Sequence, residues 1–140
     1  MLTCRTEIRV RYAETDMMSI AYHGSYLPWL EIGRTELLRA HGFPYADLER
    51  AGYRLPVLEI HLNYKRPARY DDVVTIETSL REKPALRIRM EYQLFRDTTL
   101  LATGHSVHAF LNHNNEVVRP PPAFTAAVQR WFALPADTSG

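Results

Sequence analysis

The chain has 140 residues, of which 46% are hydrophobic and 24% charged, and its net charge is +1. That length fits one domain with one core, the composition is that of an ordinary globular protein, and the charge balance excludes a nucleic-acid binder driven by bulk phosphate neutralisation. Cys4 is the only cysteine, so no internal disulfide forms and nothing ties the chain to an oxidising compartment. The Met1–Glu7 segment lacks the long apolar run of a signal peptide, and no stretch of about 18 apolar residues is present to span a membrane; the cytoplasm is the expected location.

Residues Thr6 to Tyr12 alternate apolar Ile8, Val10 and Tyr12 with charged Glu7, Arg9 and Arg11, the period of a half-buried strand. Ala13 to Gly24 has no period and carries Asp16, Ser19 and His23, so it is expected as a structured loop. Ser25 to His41 is the clearest helix: Ser25 suits the N-cap, Pro28 the first turn and Gly42 the stop. Leu27, Trp29, Leu30, Ile32, Leu37 and Leu38 give it a broad apolar surface. Tyr45 to Ala51 is a short second helix closed by Gly52. Strands are expected at Val57–Tyr64, Val73–Leu80, Leu86–Phe95 and Thr99–Leu111, with a tight turn at Asn112–Asn115 and a short edge strand at Val117–Val118. Three prolines, Pro120 to Pro122, precede a small helix from Phe124 to Phe132. One long helix followed by a run of antiparallel strands makes an α+β fold, with a five- to six-stranded sheet wrapped round the helix. The exposed sheet edges of so short a chain predict a homodimer or homotetramer.

Three clusters carry a resemblance: Tyr12-Ala13-Glu14-Thr15-Asp16; Tyr22-His23-Gly24-Ser25-Tyr26 followed by Glu31 and Arg34; and Tyr64-Lys65-Arg66-Pro67-Ala68-Arg69-Tyr70-Asp71-Asp72. Together they resemble hotdog-fold thioesterases of the 4-hydroxybenzoyl-CoA thioesterase-like group, and within it the small bacterial acyl-CoA thioesterases associated with the Tol–Pal envelope system. The likeness covers roughly residues 5 to 112 and implies that residues 1–140 are a single hotdog thioesterase domain. It departs at Met17-Met18-Ser19, where family members usually carry small residues, which implies a reshaped acyl pocket.

The resemblance implies hydrolysis of an acyl-CoA thioester with no cofactor and no metal, coenzyme A being part of the substrate. Asp16 is then the general base on water or the nucleophile, and the backbone N–H at about His23, with Gly24 beside it, meets the thioester oxygen. One such donor is typically worth about 3 kcal/mol in the transition state. The plainer reading of Asp16 is an Asx-turn residue, and that of His23 is capping or packing. Glu31 keeps a possible direct role, although Glu31 and Arg34 stand three apart as an intrahelical pair would. Tyr12 and Tyr26 are packing residues able to line the pocket. Coenzyme A phosphates need cations, for which Lys65, Arg66 and Arg69 form one cluster and Arg81, Lys83 and Arg87 another. Arg66 and Lys83 are the candidates carried forward. His105 and His108 point to opposite faces of a strand, no histidine pair has zinc spacing and company, and no Gly-x-Ser-x-Gly elbow is present. The thioester is expected between two subunits, near the N-terminus of the long helix. Two rival uses of the fold are dehydration of a hydroxyacyl thioester and non-catalytic acyl-CoA binding.

Overall fold

The computed structural model of the chain describes residues 1–133. Strand β1 (Leu2–Arg9) leads through 3-10 turns at Tyr12–Glu14 and His23–Ser25 into helix α1 (Tyr26–Ala40). Helix α2 (Tyr45–Arg50), β2 (Val57–Tyr64), β3 (Val73–Leu80), β4 (Arg87–Arg96), β5 (Thr99–Ala109) and helix α3 (Pro122–Trp131) follow. All five strands join one antiparallel sheet in the order β1-β3-β4-β5-β2.

Alternation along the strands decides which face meets α1. Val74, Ile76, Ile88, Met90, Tyr92 and Leu94 are fully buried on the inner face, against Trp29, Leu30 and Leu37 of the helix. Each such burial contributes about 1.5–3 kcal/mol. Gly33 sets the spacing, because a Cβ there would collide with Thr78 Oγ1 and Ile76 Cγ2. Only a residue without a side chain lets α1 press this close to β3. The helix packs on β1 and β3, while Tyr64 at the far edge stacks edge-on against Tyr26 with ring centroids 4.9 Å apart. Both edges of the sheet therefore approach one helix, and the sheet curls round it.

β2 and β3 begin and end where the alternation predicts. β1 instead runs from Leu2 to Arg9, because Leu2, Cys4, Thr6 and Ile8 supply its inward face and the chain turns off at Val10 to bond Asp72. Val117 makes a single bridge to Leu111 and no strand, so the sheet has five strands and not six. The hydroxyl of Ser25 does not cap α1. It donates to the carbonyl of Glu14 at 3.0 Å, and the preceding 3-10 turn runs directly into the helix. Leu27 and Ile32, read as part of the apolar helix surface, are exposed.

A polar chain crosses this core. Tyr92 Oη lies 2.6 Å from Ser106 Oγ, which lies 2.7 Å from His108 Nε2, and His108 Nδ1 lies 3.1 Å from the carbonyl of Pro56. A carbonyl only accepts, so Nδ1 carries the proton, Nε2 accepts from Ser106, and Ser106 accepts from Tyr92. Burial and the nearby Arg34 charge lower the His108 pKa to about 4, below the usual 6.5. The folded protein therefore binds fewer protons than the unfolded chain between those values, so stability is intact above about pH 6.5 and falls as pH drops towards 4. The loss reaches about 3 kcal/mol. Urea unfolding at pH 7 and pH 4.5 should show it, and His108→Gln should flatten the slope; an unchanged slope would place the proton sink elsewhere.

Candidate active site

Asp16 stands in a tight loop closed by the Thr15–Ala21 bridge. Its N–H donates to Ile20 O at 3.0 Å and its carbonyl accepts from Ser19 N–H at 3.0 Å, with Ser19 in the left-handed region at φ 65. Oδ1 accepts the Met18 N–H at 2.8 Å, an Asx-turn. That turn engages one carboxylate oxygen; Oδ2 has no protein hydrogen bond among the described residues. The side chain lines a cleft of about 320 Å³ with His23, Tyr26, Tyr64 and Arg66.

What holds the loop there is Glu14. Its buried carboxylate accepts Trp29 Nε1–H at 2.8 Å and Arg11 N–H at 2.8 Å, with the Arg11 guanidinium 3.6 Å away. Its carbonyl accepts Tyr22 N–H at 2.8 Å as well as the Ser25 hydroxyl. One residue thus fastens both sides of the Asp16 loop to the first turns of α1. The opposite wall is fixed by tyrosines. Tyr64 Oη donates to His23 O at 2.9 Å, Tyr26 Oη accepts Ala68 N–H at 3.3 Å, and Ala21 N–H donates to Ala68 O at 2.8 Å.

The result is a carboxylate beside the start of a helix. The N–H groups of His23 and Gly24 open this helical run and donate to no protein atom among the described residues. They carry the positive end of the α1 dipole. Asp16, His23, Gly24 and Arg66 are brought together; other candidates lie apart. Tyr12, expected to pack, is 79% exposed and stands edge-on to Tyr70 on the other side of the loop, where Met17 is also fully exposed. Met18 lines the Asp16 cleft. Glu31 is exposed and makes no ion pair with Arg34; both line a separate cleft of about 270 Å³ against Leu38, Leu55 and Val57. Lys83 follows the end of β3 remote from Asp16 and donates to Gln129 at 3.2 Å. Among the described residues no three His, Cys, Asp or Glu side chains are grouped to hold a metal. Glu14, Tyr64 and Arg34 stand in the clusters that carry the resemblance, but the sequence assigns Glu14 and Tyr64 no role and Arg34 no cleft, since a glutamate that will be buried looks like any other.

A curled antiparallel sheet wrapped round one long helix defines the hotdog fold. The sequence profile of the thioesterase-like superfamily matches residues 10–132, and the chain belongs to that family. A putative acyl-CoA thioesterase of Bacillus subtilis, YneP, is 39% identical over 95 residues, covering 68% of this chain and 69% of its own. The acyl-CoA thioester hydrolase YbgC of Escherichia coli is 37% identical over 76 residues, 54% of this chain and 57% of its own. Among solved structures, a DHNA-CoA thioesterase from Staphylococcus aureus is 32% identical with a TM-score of 0.90, covering 96% of this chain and 93% of that one. The chain is a thioester hydrolase by family and fold.

Removing the Glu14 carboxylate leaves the Trp29 N–H without its acceptor in the core, which costs about 1–3 kcal/mol. Glu14→Ala should lower the urea midpoint accordingly and reduce turnover by more than this loss of fold explains. Native stability and native turnover together would show that the loop is held by something else.

Proposed function

We propose that this protein hydrolyses acyl-CoA thioesters, with Asp16 as the reacting carboxylate and the His23–Gly24 backbone as the oxyanion donor. The observation that carries the reading is the free Asp16 oxygen in the same cleft as an unpaired helix start. The thioester carbonyl oxygen faces those N–H groups, whose fixed dipoles stabilise the charge that develops on attack. Asp16 Oδ2 then acts in one of two ways. As a base it takes a proton from water, whose oxygen adds to the carbonyl carbon; collapse expels the CoA thiolate, which receives that proton. As a nucleophile it forms a mixed anhydride and expels the thiolate, and water then cleaves the anhydride. Either route consumes one water and yields a carboxylic acid and free CoA. Single turnover in ¹⁸O-water separates them, because only the anhydride route, by attack of water at the aspartyl carbon, can leave label in Asp16. Lys65 and Arg66 at the cleft rim suit the CoA phosphates. Relatives named for DHNA-CoA and for acyl-CoA substrates support this substrate class.

Asp16→Asn should fold normally and lose about 10²-fold or more in kcat, the scale of a removed general base. Near-native kcat in that variant would make Asp16 structural and sink the assignment.

Assembly belongs to the same proposal. β2 is a sheet edge paired with β5 on one side and with no strand on the other, and its Val57, Leu58, Ile60 and Tyr64 are 40–46% exposed. Apolar residues on an unpaired edge call for a second copy of the strand. Sedimentation at micromolar concentration should show a dimer or a dimer of dimers, and Ile60→Asp should shift it towards monomer. A wild-type monomer near 16.2 kDa would refute the pairing.

A further inference from the structure

The α1–β2 groove has a cleft at each end. At one end lies the Asp16 cleft, against Tyr64 of β2; at the other lies the cleft of Arg34, against Pro56 and Val57. Arg34 is a guanidinium whose Nη1 is buried with no hydrogen-bond acceptor among the described residues. No carboxylate of the described residues is within ion-pair distance of it. Its neighbours Tyr92 and His108 are neutral: the Tyr92 hydroxyl, which donates to Ser106, offers the guanidinium a lone pair but no charge, and His108 is engaged with Ser106 and Pro56. Arg34 is half-buried, and a cation partly withdrawn from water with no anion beside it gains when an acceptor enters the adjoining cleft. Glu31 on the rim is exposed, so water screens its repulsion of an incoming anion.

Pairing two copies of β2 joins these clefts. Antiparallel strands set residues of the same face opposite one another, so the two-fold axis must fall on a residue rather than between two. Ile60, His61 and Leu62 are the central choices, and each puts Tyr64 opposite a position between Pro56 and Ile60 of the other copy. The Asp16 cleft of one subunit then abuts the Arg34 cleft of the other, twice per dimer.

We propose that the partner subunit's Arg34 completes each active site and binds an oxygen acceptor at the far end of the acyl group. The inference rests on the thioesterase reading above. It names the substrate class as short acyl-CoAs ending in a carboxylate first, a hydroxyl or keto group second, in preference to plain alkyl chains. Leu38, Leu55 and Val57 cover the intervening methylenes.

The test uses succinyl-CoA and butyryl-CoA, chains of equal length with and without a terminal carboxylate. Wild type should favour succinyl-CoA by about tenfold or more in kcat/KM, and Arg34→Met should bring that ratio near one. Asp16→Asn and Arg34→Met homodimers should each be nearly inactive on succinyl-CoA. Refolded together at equal amounts, half the dimers are mixed, and one of the two sites in each holds both native groups, so about a quarter of wild-type activity returns. Sites built within one chain return none, which overturns the proposal. Thr35→Phe, plugging the Arg34 cleft from its half-buried rim, should complement Asp16→Asn equally and decides the matter if Arg34→Met does not fold. A wild type that cleaves butyryl-CoA as well as succinyl-CoA overturns the acceptor. Failure to cleave any acyl-CoA overturns the thioesterase reading instead, leaving succinate binding dependent on Arg34 as the surviving measure of the cleft.

Discussion

The buried carboxylate of Glu14 is the interaction on which the active site depends. It takes hydrogen bonds from a core tryptophan and from the backbone of Arg11, while its own carbonyl takes two more from Tyr22 and Ser25. A carboxylate is expensive to bury unless its oxygens are occupied, and here they are. The loop between β1 and α1 is fixed at both ends by one residue, so Asp16 is delivered to the helix start in a defined place. Catalysis by a carboxylate and an oxyanion donor requires that precision, since small displacements of either group forfeit much of the rate.

The rest of the fold serves the same placement. Gly33 lets α1 press against β3, and that contact fixes the height of the helix start above the sheet. Tyr64 and Tyr26 then tie the far edge of the curled sheet to the same region, one through the His23 carbonyl and the other through Ala68. The polar chain from Tyr92 to Pro56 extends this ordering along the inner face to the beginning of β2. The end of β2 is therefore tied to the start of α1 and its beginning to His108 of β5, and the edge strand that would join a second subunit is also the strand that borders both clefts.

Much of this was legible in the residues. The period-two alternation of Val57–Tyr64 and Val73–Leu80 located two strands to the residue; β3 buries one face against α1, whereas β2 leaves every residue but half-buried Leu62 exposed. His105 and His108 were correctly read onto opposite faces, the second fully buried. The Thr15-Asp16 and Tyr22–Tyr26 clusters pointed to the family, which the match over residues 10–132 bears out. Other features depend on contacts between residues distant in the chain, which no local pattern reports. The sequence around Ser25 looks like a helix cap, yet its hydroxyl is drawn off by Glu14, eleven residues earlier. Glu31 and Arg34 have the spacing of an ion pair, but the half-buried guanidinium turns one nitrogen inward and the carboxylate stays in water. Lys83 looked like a companion of Arg66 by charge alone, whereas the sheet sets it beyond the far end of β3.

The account rests on one reaction, cleavage of a thioester with release of its thiol. The most direct measurement is thiol release by the wild-type protein across a panel of short acyl-CoAs, with the carboxylic acid quantified alongside. Release of one thiol per acid, sustained over many turnovers, is the predicted result. Tight acyl-CoA binding with no thiol released, or loss of water from a hydroxyacyl-CoA with the thioester intact, would contradict it.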